Sequence, residues 1–338
     1  MKRVNIIRWH NGVGSSRTTR IISQFLSDAG FQVTVNGVYP RLAKDTNFDR
    51  AKRFLYKKYL DLQHEIYRSF SEAIFHQPPY DINLFLEFVE PKWFPYARVN
   101  LLIPNQEWFQ KSWLSYLDKF DRILCKTKYA QEIFDKLGCQ TEFISFTSFD
   151  RLDSKQTKNY DTFFHLAGRS LQKGTNTLID LWLQHPEWPC IKIVQNPQNA
   201  RPVAADNIEY ITEYVDDALL REYQNYHGIH LCVSEAEGFG HYIVEAMSCQ
   251  AVIITTNAPP MNEAISSERG ILVDYNYTQV QRLGTNYYVD RSDLERKVEE
   301  VLEMDLVSKK RLGENARYWY EENERFFKRN IVELLSNI

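Results

Sequence analysis

Two glutamates with seven residues between them, Glu237 and Glu245, stand in the run Ser234-Glu235-Ala236-Glu237-Gly238-Phe239-Gly240-His241-Tyr242-Ile243-Val244-Glu245-Ala246-Met247. Carboxylates accept hydrogen bonds from hydroxyls. Gly238 and Gly240 let a backbone approach a bulky anion, and the helix start that follows offers unpaired N–H groups and a favourable dipole to phosphate. A ligand with both hydroxyls and phosphates, such as a nucleotide sugar, suits that combination. The glycines interrupt a continuous helix, so Glu237 is expected at the mouth of a loop and Glu245 in the first turns of the helix behind it. Either feature alone is ordinary: a glutamate near a helix start complements the dipole, and a glycine pair makes a turn. Their conjunction directly after the apolar segment Ile229-His230-Leu231-Cys232-Val233 points to a ligand site.

A second constellation supplies cations. Gly168-Arg169-Ser170-Leu171-Gln172-Lys173-Gly174-Thr175 follows the apolar run from Phe163 to Ala167 and precedes a helix that Thr175 is placed to cap. Arg169 and Lys173 in one turn are able to converge on one anion, the first with a planar fork and the second with a mobile point charge. A diphosphate leaving group needs such neutralisation. The sequence contains no Asp-x-Asp, the usual metal-chelating spacing at a nucleotide-sugar site, so no metal is expected and these protein cations take its place. A third piece is His10-Asn11-Gly12-Val13-Gly14-Ser15-Ser16, a glycine turn between strand and helix. Arg17 stands where a dinucleotide-binding fingerprint has its third glycine, which counts against an NAD enzyme.

These loops need a scaffold of alternating strands and helices, and the pattern supplies one twice. Val4 to Arg8, Val33 to Val35, Ile82 to Phe88, Val99 to Ile103, Ile123 to Cys125 and Phe143 to Phe146 read as strands. Helical stretches are expected at Arg17 to Ala29, Phe48 to His76 and Tyr129 to Leu137. After a polar stretch from Asp150 to Asp161, read as a linker, the alternation restarts. Its strands are Phe163 to Ala167, Ile191 to Val194, a short one near Tyr210, Ile229 to Val233, Val252 to Ile254 and Gly270 to Val273. Its helices are Thr175 to Gln184, Asp216 to Tyr226 and one ending near Cys249, and the tail from Asp293 to Ile338 is helical throughout. The expected class is α/β, with two Rossmann-like doubly wound domains facing a central cleft.

Length and composition agree with that frame. A chain of 338 residues fits two domains, and 43% hydrophobic with 25% charged residues describes a water-soluble globular protein. No run approaches the 20 or so apolar residues that span a bilayer, and the start Met1-Lys2-Arg3-Val4 reads as a first strand, so a cytoplasmic location is expected. The five cysteines have no C-x-x-C pair and support neither a disulfide framework nor a zinc site. The net charge of −3 divides into +5 for residues 1–150 (21 basic against 16 acidic) and −8 for the rest (20 against 28). The basic half suits an anionic acceptor or peripheral contact with the inner face of an acidic membrane, although an ordinary solvated surface explains it equally well.

Gly168-Arg169 with Lys173-Gly174, Glu237-Gly238-Phe239-Gly240 ahead of Glu245-Ala246-Met247, and Gly270-Ile271-Leu272-Val273 resemble, in order and spacing, the retaining glycosyltransferases of family 4, which have the GT-B fold. The resemblance is strong across residues 161–275. It implies an acceptor-binding domain over 1–150, a donor domain over 151–310 and a terminal helix, 311–338, crossing back to the first domain, anchored by Tyr318, Trp319, Phe326 and Phe327. By the resemblance, Glu245 would meet the ribose hydroxyls and Glu237 the transferred sugar. Arg169 and Lys173 would hold the diphosphate, helped by Gly14, Gly168 and backbone N–H groups around Gly238, Phe239, Gly240 and His241, and the leaving phosphate would take the acceptor proton.

The chain also departs from the pattern. Pro104-Asn105-Gln106-Glu107 replaces the family's His-Asp, leaving Asn105 and Glu107 as positional candidates for sugar contact, with His10 and Gly12 on the acceptor side. Pro259-Pro260 replaces a Gly-Gly. The expected function is hexosyl transfer, with retention and without metal, from a nucleoside diphosphate sugar to a glycan or lipid-linked glycan hydroxyl in polysaccharide or glycoconjugate synthesis. UDP-glucose is the donor favoured by its frequency in the family, and no nucleic acid is involved. The alternatives are a catalytically weak nucleotide-sugar-binding partner of another transferase and a nucleotide-sugar epimerase of similar fold.

Overall fold

The structure is a computed structural model that describes residues 1–9, 13–38, 58, 62, 78–201 and 203–338. The expected helix from Phe48 to His76, and His10 and Gly12, lie outside the described residues apart from Lys58 and Leu62.

Six parallel strands form the first sheet: β1 (Arg3–Trp9), β2 (Gln32–Val38), β3 (Tyr80–Leu86), β4 (Ala97–Ile103), β5 (Arg122–Cys125) and β6 (Thr141–Phe143), in the order β2-β1-β3-β4-β5-β6. Their apolar runs are nearly continuous because the sheet is covered on both faces. Val4 pairs with Val33 on one side and Ile82 on the other, and all three belong to the layer that packs on α1 (Val13–Asp28). The opposite face buries Phe85, Trp93, Phe109, Trp113 and Phe134, the last from α2 (Lys128–Lys136).

The second sheet repeats the plan with β7 (Asn159–Gly168), β8 (Ile191–Gln195), β9 (Ile208–Ile211), β10 (His227–Cys232), β11 (Val252–Thr256) and β12 (Ile271–Val273), in the order β12-β11-β10-β7-β8-β9, again all parallel. It is covered by α3 (Thr175–Gln184), α4 (Asp217–Tyr226), α5 (His241–Ser248), the short α6 (Met261–Ala264) and α7 (Arg291–Glu303). A final helix, α8 (Leu306–Asn337), begins where Asp305 caps it through the Ser308 N–H.

Helix α8 ties the two sheets together. Its buried positions Leu312, Ala316, Tyr320, Phe327, Ile331 and Leu335 recur at intervals of four or seven residues, as one stripe of a helix should. Leu312 packs with the second sheet, whereas Tyr320, Phe327 and Leu335 share a cluster with Val4, Ile6 and Leu84 of the first. Tyr320 donates to Ser148 O at 3.0 Å, and Lys2 donates to Leu335 O at 3.1 Å.

Four expectations need correction. The tail is two helices, broken at Met304 and Asp305. Tyr318 is no anchor: it is 66% exposed, and Tyr320, two positions on, takes the buried face. Thr175 does not cap α3; Gly174 occupies the cap position and the Thr175 hydroxyl meets His165 instead. The stretch read as a linker is not free of structure, because buried Arg151 donates to Gln224 at 2.8 Å and to Asp217 at 2.8 and 2.9 Å, locking the crossing onto α4. An antiparallel hairpin of β13 (Tyr275–Gln281) and β14 (Gly284–Val289), not expected from the sequence, follows β12.

Candidate functional site

The second sheet reverses its strand order at β7, which has β8 on one side and β10 on the other. Ligands of open parallel sheets bind outside the carboxyl ends of the strands at such a reversal. The loops leaving there are 168–174 after β7 and 233–240 after β10, the two singled out above. Gly174 (φ +67°) joins them: a Cβ there would lie 2.6 Å from Val233 O. The Glu235 N–H also donates to Gln172 O at 2.9 Å.

Lys173 and Glu237 meet across this junction as an ion pair, with the ammonium 3.7 Å from the centroid of the Tyr242 ring. Ser234 donates to the same Glu237 oxygen at 2.5 Å, and its hydroxyl is 2.5 Å from the Tyr242 hydroxyl. Glu237 is thus held by two groups, Lys173 and Ser234, and is largely shielded from solvent. Arg169 is not brought to Lys173: it is exposed, without an ion-pair partner among the described residues, while its carbonyl accepts from Asn199 at 2.7 Å. Neither α3 nor α5 has a side-chain cap, the cap residues being Gly174 and Gly240 in left-handed backbone. By contrast α2, α4, α7 and α8 are capped by Thr127, Asp216, Asp290 and Asp305.

The first sheet closes the site from the other side. Gln106, in a short turn after β4, donates to Glu237 O at 2.8 Å, and a side chain on Gly238 would overlap Asn105 and Glu107. The hairpin tip completes the enclosure: Gln281 donates to Glu107 O at 3.1 Å and Arg282 to Trp108 O. Asn105 accepts from Lys126, which also pairs with Glu87 at 2.8 Å. Glu107 is buried, with Oε2 lacking a hydrogen-bond partner among the described residues, as does Gln106 Oε1. Burial pushes the Glu107 carboxyl up to about 8, reinforced by the nearby Glu237 and Glu87 charges and opposed by its own N–H and Lys126. It is a protonated acid at neutral pH beside the Glu237 loop.

Residues 204–319, about a third of the chain, match the family model described as glycosyl transferases group 1. Solved structures align over the whole length. The sucrose-phosphate synthase of Thermosynechococcus elongatus is 15% identical, with 100% of this chain and 99% of that one covered at a TM-score of 0.70. HepE of Anabaena in complex with UDP-glucose is 14% identical, with 100% of both chains covered and a TM-score of 0.69. A glycosyltransferase of Rickettsia africae ESF-5 is 14% identical, covering 98% and 97% at 0.68. The fold is GT-B. No curated protein matches the chain in sequence. The matched segment contains Glu237 and Glu245 but not the Arg169 to Lys173 turn.

In this GT-B frame Glu245 lies differently from its expected exposure to a ligand. It is 0% exposed, in the second turn of α5, with Arg17 of α1 at 2.6 Å, Ser148 donating at 3.0 Å and Gln224 donating at 3.2 Å. Both its oxygens are engaged by protein groups, so here it is a tie between the halves, and it meets a ribose only by exchanging one of these partners. His241 reaches the first half too, through Thr18 at 3.3 Å and Ser148 at 3.1 Å. Those two hydroxyls donate to Glu87 and Glu245, so a neutral imidazole satisfies only one of them. Burial, with the cations Arg17, Lys126 and Lys173, holds His241 well below its usual range. Phe239 is buried against Phe146, and Gly14 lies in the first turn of α1, one turn ahead of Arg17 and Thr18.

Sequence reasoning passed over Arg17, Lys126, Ser234, Tyr242 and Glu263. Arg17 carried a signal: a cation near the N-terminal end of a helix opposes the dipole and calls for an anionic partner. Glu263 accepts from the Lys128 and Tyr129 N–H groups at 2.6 and 2.7 Å, so it caps α2 from the other half of the molecule. Lys126 and Tyr242 sit in ordinary apolar surroundings along the chain, and only the tertiary fold brings them to the site. Among the described residues no group of three His, Cys, Asp or Glu side chains is arranged to hold a metal ion, and no helix is long and apolar enough to cross a membrane.

Proposed function

We propose that the protein transfers glucose from UDP-glucose to an acceptor hydroxyl, with retention and without a metal. The observation that carries the reading is the pair of helices α3 and α5, whose N-termini lack side-chain caps beside Lys173 while the other long helices with described N-caps have them. Unsatisfied N–H groups with a positive dipole end suit an anion. The loops leading to these two ends meet at Gly174 and Val233, with Lys173 in the turn before α3 and Arg169 exposed in the same turn, an arrangement that suits a diphosphate. Glu237, held by Lys173 and Ser234, is the sugar-hydroxyl acceptor. Its pairing with Lys173 also supports a role in keeping the cation in place until the diphosphate arrives.

Two similar structures support the nucleotide: HepE is described in complex with UDP-glucose, and an E. coli trehalose-6-phosphate protein is described bound with UDP-2-fluoro glucose. As the sugar–phosphate bond breaks, charge builds on the leaving oxygen, and fixed donors aimed there are worth more than in water. The leaving phosphate takes the acceptor proton, so no protein base is needed. The acceptor is a glycan or lipid-linked glycan.

The test is proton NMR of UDP-glucose turnover, with water as the acceptor until a better one is found. Retention predicts α-glucose as the first product, and Glu237→Ala should slow release by about 100-fold or more. β-Glucose appearing first would overturn retention. Equal rates in wild type and variant would overturn the role of Glu237, and binding without turnover would favour the non-catalytic partner. Conversion of the sugar on the intact nucleotide would favour an epimerase.

A further inference from the structure

We propose that a cavity of about 690 Å³ between α2, α6 and α8 is the acceptor subsite and that it takes an anionic sugar, one bearing a phosphate or a carboxylate. The acceptor role rests on the transferase reading above; the ligand chemistry rests on the cavity itself.

Position comes first. Helix α2 follows the carboxyl end of β5 and α6 follows that of β11, so the cavity opens where the carboxyl ends of the two sheets face each other. Phe239, two residues beyond Glu237, forms part of its wall, and so does Lys126, whose ammonium reaches Asn105 and Glu87. The cavity therefore adjoins the Glu237 loop on the flank away from the β7 turn that carries Arg169.

Charge comes second. Two acids line the cavity and both are already engaged. Glu263 accepts from two backbone N–H groups of α2, and Glu322 is paired with Arg325. Among the cations, Lys126 is paired with Glu87, but Lys128 and Arg329 have no carboxylate partner among the described residues. Lys128 donates to Gln131 at 3.1 Å and lies 4.1 Å from the Phe143 ring centroid, while the Arg329 guanidinium lies 5.9 Å from that of Phe326. With the paired groups set aside, Lys128 and Arg329 face the single carboxylate charge of Glu263, so the lining keeps a net positive charge, carried by α2 and α8.

Shape comes third. Trp319, Phe326 and Phe143 give the cavity flat apolar walls, which suit the C–H faces of a sugar ring, and its size falls in the range of small-molecule sites. A bare phosphate would use the cations and leave the rings idle, and a neutral sugar would do the reverse. A sugar acid or sugar phosphate uses both.

Calorimetric titration with glucose 6-phosphate and with glucuronate tests this, with glucose and inorganic phosphate as controls. At least one of the two anionic sugars should bind about tenfold or more tightly than either control. Lys128→Ala together with Arg329→Ala, and separately Trp319→Ala, should each cost about tenfold, and thermal unfolding of each variant reports that it is folded. The milder Lys128→Gln with Arg329→Gln should act in the same direction. Binding no tighter than glucose or phosphate, or affinity untouched by the charge variants, would overturn the site. UDP titrated into the same samples separates the two readings. Normal UDP binding with no anionic-sugar binding sinks this inference alone, whereas loss of UDP binding in the wild type sinks the transferase reading. Given UDP-glucose, the bound sugar should be recovered with one added hexose; recovery unchanged during donor turnover would overturn the acceptor role.

Discussion

Glu107 is the residue with the most to report about the closed site. Its carboxyl titrates near 8 in the folded chain because burial disfavours the charge, against 4.5 for an unhindered glutamate. The folded state therefore holds a proton that the unfolded chain releases between these values. Stability from this group is complete below about pH 4.5 and is lost as pH rises toward about 8, by at most about 1.4 kcal/mol per pH unit. Glu107→Gln keeps the shape and removes the titration. Urea midpoints of the two proteins should diverge with rising pH, the variant becoming relatively more stable. Parallel profiles would show that Glu107 is ionised in the fold. The residue was legible in the sequence only as a position, since burial and the neighbouring Glu87 and Glu237 charges come from elements far apart in the chain. Glu237 and Lys173, by contrast, were legible from their glycine loops, and they are found paired.

At the level of elements, two glycines fit the loops of the site together. Gly238 has Asn105 and Glu107 against it, and Gly174 has positive φ with Val233 O in the way of any Cβ. Gly174→Ala should destabilise by about 2 kcal/mol or more, through left-handed strain and overlap with fixed backbone. Gly238→Ala should act mainly on the approach of the halves, lowering the thermal midpoint less than it lowers donor turnover. Midpoints and rates of both variants measure this, and two silent variants would remove the close-packed loop from the account. The strands were legible as apolar runs, because a parallel sheet buried on both faces writes such runs. The β13–β14 hairpin was not. Its outer strand is exposed almost throughout, so no apolar periodicity marks it, and its turn places Arg282 at φ +55°, a conformation usually signalled by glycine or asparagine.

In the whole molecule, the two halves are held by side chains that read as unrelated in sequence: Arg17 with Glu245, Glu263 with the start of α2, Gln281 with Glu107. Arg17→Ala leaves the Glu245 carboxylate buried without its charge partner and should cost about 3–5 kcal/mol. Arg17→Ala with Glu245→Ala should cost clearly less than the sum of the two single changes, as denaturant titration of the four proteins would show. Additive losses would mean that the pair does not hold the halves together. The two-sheet plan was legible because each half repeats its own strand and helix pattern. The path of α8 was half legible, with Phe327 anticipated and Tyr320 hidden on the opposite face, two positions from exposed Tyr318.

Ligand-dependent unfolding tests the nucleotide-sugar reading most directly. UDP-glucose at 100 times its dissociation constant should stabilise the wild type by about 2.7 kcal/mol. The gain should largely disappear in a variant combining Arg169→Ala with Lys173→Ala that is otherwise folded. No shift in the wild type with UDP, UDP-glucose or any other nucleoside diphosphate sugar would contradict the account.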